Sequence, residues 1–234
     1  LDRMQPMFYR ILVGSIRDVS SLLLTIEDSG VKEVIIIGDK SFYSSNNATI
    51  LEDKKYHYVL PLKRNSQLIN YSPLEQAGKK GFEGHFLFEN RVIWYYEHKK
   101  DGKRIVTFLD EKLKAEEERD FLIRVHEEKI TLTEFYENEN KFGTISVITK
   151  TDFTPQKIFE LLKSRIEIEV LFDTFKNVLN ADRSYMRDDF ALEGWMFVNF
   201  IALLLYYKIY MRLMSGNLLN NYSPKDVLLH LSRV

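Results

Sequence analysis

The sequence predicts an α/β protein with a small antiparallel β insertion and a helical C-terminal part. Three observations carry this. Residues 7–62 alternate short β-branched runs with amphipathic stretches in the order β-α-β-α-β, the pattern of a unit with parallel neighbours. Residues 64–110 hold three short β runs separated by turn residues. From Thr154 onward the apolar residues recur at helical spacing.

Taken in order, Met7–Val13 (MFYRILV) is β-rich and is closed by Gly14. Asp18 can cap a helix over Val19–Glu27, where Leu22, Leu23 and Ile26 share one face. Val31–Gly38 (VKEVIIIG) reads as a strand covered on both faces, and it ends at Asp39. Ser44 or Ser45 can cap a helix reaching Lys54, and His57–Leu62 is the next strand, with Pro61 marking its end near an edge. Phe86–Phe88, Arg91–His98 and Arg104–Leu109 form the antiparallel insertion, and Lys100-Asp101-Gly102-Lys103 is a hairpin turn. Thr144–Ile148 is a returning strand. Thr154-Pro155 opens a periodic helix running to about Leu179, a second long helix spans roughly Asp188–Met214, and Ser223-Pro224 starts a short third. The order of elements suggests three segments, 1–63 with the first strands and helices, 64–142 with the β insertion and an acidic helix, and 143–234 with the returning strand and the long helices. Trp195–Tyr207 (WMFVNFIALLLYY) is too short before Lys208 to cross a bilayer, which takes about 20 residues, so a buried core helix is expected.

Composition sets further bounds. At 234 residues, with 45% hydrophobic and 29% charged residues, the chain suits a globular protein rather than a disordered one. It has no cysteine, which excludes disulfides, iron–sulfur clusters and thiolate zinc sites. It starts at Leu1, and no charged-then-apolar leader precedes the first strand, so it reads as a piece of a longer protein. The net charge of −1 conceals a division: residues 110–140 carry eleven acids against five bases, a net of −6, leaving +5 on the rest. A solvated acidic helix face is the expected form of that segment. Near neutrality therefore argues neither for nor against an anionic ligand.

Two groups of residues could do chemistry. Asp39 follows Gly38 at the carboxyl end of an apolar strand, where ligands bind in α/β sheets. A carboxylate there suits Mg²⁺, which keeps several waters and needs one or two protein carboxylates plus phosphate; the position also suits a plain cap or turn residue. Arg165, Glu169, Phe172/Asp173 and Lys176 fall along one helical stripe, as surface i,i+4 pairs do.

The segment Leu162–Lys176 (LKSRIEIEVLFDTFK) resembles the C-terminal signature of DDE transposases of prokaryotic insertion sequences, Tyr-x2-Arg-x3-Glu-x6-Lys. Arg165, Glu169 and Lys176 match it, as do Ile168 and Phe172 around it. Leu162 stands at the Tyr position, Ile166 where Trp is usual, and Asp173 where Lys is usual. Val34–Ser44 (VIIIGDKSFYS) is similar to the family's V-V-x-D-R-G-Y-Y-S strand and turn, with Lys40 for Arg and Ser41 for Gly. Pro6–Asp18 resembles P-x-x-Y-x-x-x-x-G-N-x-x-D, with Ser15 for Asn. The three stretches occur in the family's order.

The resemblance implies a ribonuclease-H-like mixed sheet flanked by helices and metal-dependent cleavage and transfer of DNA strands at insertion-sequence ends. It implies a two-metal Mg²⁺ site, with Mn²⁺ as a substitute, in which Asp39 and Glu169 are catalytic metal ligands. It also implies double-stranded DNA as partner, contacted by Arg165, Lys176, Lys40 and Tyr43, a homodimer in a synaptic complex, and a cytoplasmic, nucleoid-associated location without a membrane. The family's first catalytic Asp precedes the Pro6 segment, so it is expected upstream of Leu1, and the chain alone is expected to be inactive. An inactive DNA-binding remnant and a ribonuclease-H-like nuclease are the alternatives.

Overall fold

A computed structural model describes residues 6, 8–11, 19–31, 33–181 and 186–233. Its strands are β1 (Ile35–Ile37), β2 (His57–Pro61), β3 (Gly84–Phe88), β4 (Arg91–Lys100), β5 (Lys103–Asp110) and β6 (Thr144–Thr149). Its helices are α1 (Val19–Ser29), α2 (Ser45–Asp53), α3 (Ser72–Ala77), α4 (Glu111–His126), α5 (Leu132–Asn138), α6 (Pro155–Lys163), α7 (Arg165–Asp173), α8 (Asp189–Ser215) and α9 (Pro224–Leu231). The chain divides into two compact units. One is Val31–Lys163, and the other joins Leu1–Gly30 to Ser164–Val234.

Val31–Lys163 holds the sheet, in the order β1-β2-β6-β5-β4-β3. β1 and β2 pair in parallel, joined through α2, which buries Ala48 and Leu51. All other neighbours are antiparallel. The sheet is mixed and flanked by helices, as expected. The antiparallel strands do not stand apart: β5 pairs with β6 along Arg104–Leu109, so they continue the same sheet. β1 is shorter than expected and lies at an edge, where Ile36 is buried but Ile35 is exposed. Cover on both faces therefore does not extend to Ile35. Pro61 sits at the end of β2, opposite Val147, where a missing N–H disturbs the ladder least.

Both hairpins use turns with two left-handed residues, which match the twist of the paired strands. Asp101 and Gly102 have φ of +51° and +72°, and Glu89 and Asn90 have φ of +47° and +61°. The core forms where α6 lays Ile158 and Phe159 on Val59, Phe86, Ile93, Val106, Phe108 and Val147. The Phe159 ring meets Phe86, Phe88 and Phe108 edge-on at 5.6, 5.2 and 5.1 Å. Burying such a side chain stabilises by about 1.5–3 kcal/mol. Thr154 opens α6, its hydroxyl accepting from the Lys157 N–H at 3.3 Å, with Pro155 in the first turn. The acidic segment becomes α4 and α5, and α4 buries no residue. Its charges pair along the helix, exposed Lys112 with Glu116 and half-buried Lys114 with Glu118.

In the other unit, α1 buries Leu23 and Ile26, and Arg10 pairs with Asp28 at 2.7 Å. The strand expected over Met7–Val13 lies partly outside the described residues, and residues 8–11 belong to no strand. Asp18, expected as a cap, lies outside them too. Asp188 caps α8, accepting from the Ala191 N–H at 2.8 Å, and Ser223 caps α9. Full burial of α8 does not follow. Leu203, Tyr207 and Leu213 are buried, whereas Phe190, Phe197, Val198 and Leu205 are exposed. A helix apolar all round reads as buried, yet here only one stripe meets a packed neighbour. By length and composition alone, α8 would reach across a membrane.

Candidate active site

Asp39 sits just past β1, in the first turn after Gly38. Its Oδ1 accepts from the Ser41 N–H at 2.7 Å, the Ser41 hydroxyl at 2.6 Å and the Phe42 N–H at 3.0 Å. The Phe42 N–H also approaches the Asp39 carbonyl at 3.2 Å. Gly38 is required for this turn to close, since a Cβ there would come within 2.8 Å of Leu60 Cδ2 and 2.9 Å of Phe42 Cβ. Ser44 then caps α2 through the Asn47 N–H, and Asn47 Nδ2 donates to the Phe42 carbonyl at 2.7 Å. The turn is thus fixed from both ends, with Asp39 and Lys40 exposed and Tyr43 half-buried. Behind it, the buried Tyr58 donates to Glu52 at 2.6 Å. Burial, then the Glu52 carboxylate, pushes that phenol well above its ordinary range, so it remains a donor.

Arg165 and Glu169 lie on α7 in the other unit, and their side chains pair at 3.4 Å across one turn. Glu169 is largely exposed and Arg165 partly so. The single periodic helix expected over residues 154–179 is divided. α6 ends at Lys163, α7 begins at Arg165, and a π-turn spans Thr174–Val178. In that turn the Leu179 N–H reaches back to the Thr174 carbonyl at 2.9 Å. Lys176 lies within it and is exposed. Asp173 accepts from Asn177 Nδ2 at 2.6 Å, and with Asp226 it adds to the burial that raises the Tyr206 phenol. Ile168 and Phe172 are exposed beside this stripe.

The sequence model of the family described as Transposase DDE domain matches residues 4–205. The chain belongs to this family. No curated protein and no solved structure matches it significantly. DDE transposases act on DNA and generally use divalent metals, so the donors can be judged against that need. Asp39 and Glu169 offer exposed carboxylate oxygens, the ligand type a hard divalent cation takes. Asp39 is moreover oriented by hydrogen bonds, as ligating carboxylates are. Each fits the metal in kind. Among the described residues no three His, Asp or Glu side chains gather into a group that could hold a metal ion. Asp39 belongs to one compact unit of the transposase chain and Glu169, Arg165 and Lys176 to the other. Sequence reasoning passed over Ser41 as a mere replacement for glycine. The signal available was a hydroxyl two residues after an aspartate, the spacing at which a side chain can reach back to the carboxylate.

Proposed function

We propose that the chain is the catalytic-core portion of an insertion-sequence transposase, which cuts and joins DNA strands at the element's ends. Asp39 and Glu169 are the carboxylates that hold divalent metal in this reading, Mg²⁺ with Mn²⁺ as a substitute. Such ions, when bound as a pair, stabilise the attacking and leaving oxygens of an in-line phosphoryl displacement. Glu169 stands one turn from Arg165, so a phosphate entering beside it meets the guanidinium fork as well as the metal-holding oxygen. Lys176 supplies a point charge to the same backbone. Lys40 and Tyr43, in the turn around Asp39, face the strand being cut. The working form is a homodimer bridging two double-stranded ends.

The observation that supports this most directly is the presentation of Asp39. It is an exposed carboxylate at the carboxyl end of an apolar strand, held by three donors in a turn braced by α2. The test is made in a protein carrying all three family carboxylates. Glu169→Gln should reduce cleavage of end-bearing DNA below detection while gel-shift binding of the same DNA persists and the melting temperature holds. Cleavage retained by Glu169→Gln would remove Glu169 from the chemistry. Binding without cleavage in the unsubstituted protein would favour an inactive remnant, and cleavage without strand joining a ribonuclease-H-like nuclease.

A further inference from the structure

Three hydrogen bonds converge on one oxygen of Asp39. Two of them, from the Ser41 and Phe42 backbone, would be available with any residue but proline at position 41. The third comes from the Ser41 hydroxyl at 2.6 Å, the shortest of the three. An O–H···O⁻ contact of that length is charge-assisted and stronger than a neutral hydrogen bond. Asp39 is exposed, so packing does little to select its rotamer. The turn backbone itself is already fixed by the close approach of Gly38 to Leu60 and by Asn47 on the Phe42 carbonyl. What the hydroxyl adds is therefore specific to the carboxylate.

We propose that Ser41 is a positioning residue for a divalent cation, its hydroxyl setting the plane of the Asp39 carboxylate before the ion arrives. This rests on the reading of Asp39 as a metal ligand. Ordering the carboxylate in advance removes an entropy cost from the binding step. A partner standing behind a ligand in this way changes metal affinity by about 10–100-fold when it is removed. A residue needed only for the turn would change stability and leave affinity alone.

The experiment titrates Mn²⁺ alone into isotope-labelled protein carrying all three family carboxylates and follows the paramagnetic broadening of the Lys40 and Phe42 amide signals. The readout is site-specific and needs no DNA and no turnover. Ser41→Ala should raise the Mn²⁺ concentration giving half-broadening by about tenfold, while Ser41→Thr, which keeps the hydroxyl, should stay within about twofold of the parent. Asp39→Asn should remove the localised broadening. Position 41 is exposed, so these variants are expected to fold, and a thermal melt without Mn²⁺ verifies it. If Ser41→Ala titrates like the parent while Asp39→Asn abolishes broadening, Asp39 holds the ion and Ser41 does not position it. A lowered melting temperature with an unchanged Mn²⁺ midpoint overturns the proposal in the same way. Broadening that survives Asp39→Asn, or is absent from the parent, overturns the metal-ligand reading and this proposal together.

Discussion

Asp39 and Asp110 both end strands, and their surroundings assign them opposite work. Asp110 is 1% exposed. Its Oδ1 accepts from the Lys112 and Leu113 N–H groups, capping α4, and its Oδ2 takes the Arg91 guanidinium at 2.9 Å. Every oxygen is used inside the fold. A buried carboxylate left without its cation carries the full cost of its desolvation, which exceeds the worth of the pair itself. Arg91→Ala should therefore destabilise the protein by about 2–4 kcal/mol, discounted for the partial exposure of Arg91. Urea unfolding measures this, and a loss below about 1 kcal/mol, the range of surface pairs, would show that water already screens Asp110. The sequence alone weighs a strand-end aspartate between cap and ligand and cannot choose. Burial and the partner chosen by tertiary packing decide, and neither is local.

Four helix starts were legible because their chemistry is local: Ser44, Thr154, Asp188 and Ser223 all cap where side-chain type and spacing require. The break between α6 and α7 and the π-turn at Thr174–Val178 were not, because the apolar spacing continues through both. Two caps also carry charge. In the boxes of Thr131 with Glu134 and Ser223 with Asp226, the carboxylate accepts both the backbone N–H and the hydroxyl of the capping residue. Glu134 is lowered below its ordinary 4.5, chiefly by the Thr131 backbone N–H. Asp226 is lowered below its ordinary 3.8, chiefly by the Ser223 hydroxyl. A depressed folded value means that the charged form is the one the fold favours. The stabilisation is complete above the ordinary values and is lost as pH falls through the depressed ones. The Thr131 and Ser223 amide shifts, followed by NMR, should titrate with midpoints below 4.5 and 3.8 respectively. Midpoints at or above the ordinary values would mean that the boxes do not persist in solution.

At the scale of the whole molecule, the sheet runs across the segment boundaries at 63/64 and 142/143. β2, β5 and β6 come from the three segments those boundaries define, yet β6 pairs with both of the others. Backbone ladders join segments that lie apart in the sequence, and which strand pairs with which is not written in residue type. Compactness instead follows one continuous stretch, Val31–Lys163, while the second unit is assembled from both ends of the chain. Among the described residues, the six strands, the ladder hydrogen bonds between them and the cluster around Phe159 fall inside that stretch. A segment that satisfies its own backbone groups and buries its own apolar residues has what it needs to fold alone. The fragment Val31–Lys163 should therefore unfold in urea in one cooperative transition. Slow amide exchange should be concentrated in β5 and β6, which have a neighbour on each side, and fast exchange in β1, whose single ladder is only three residues long. A broad transition with dye-binding apolar surface would show that Leu1–Gly30 and Ser164–Val234 complete the core.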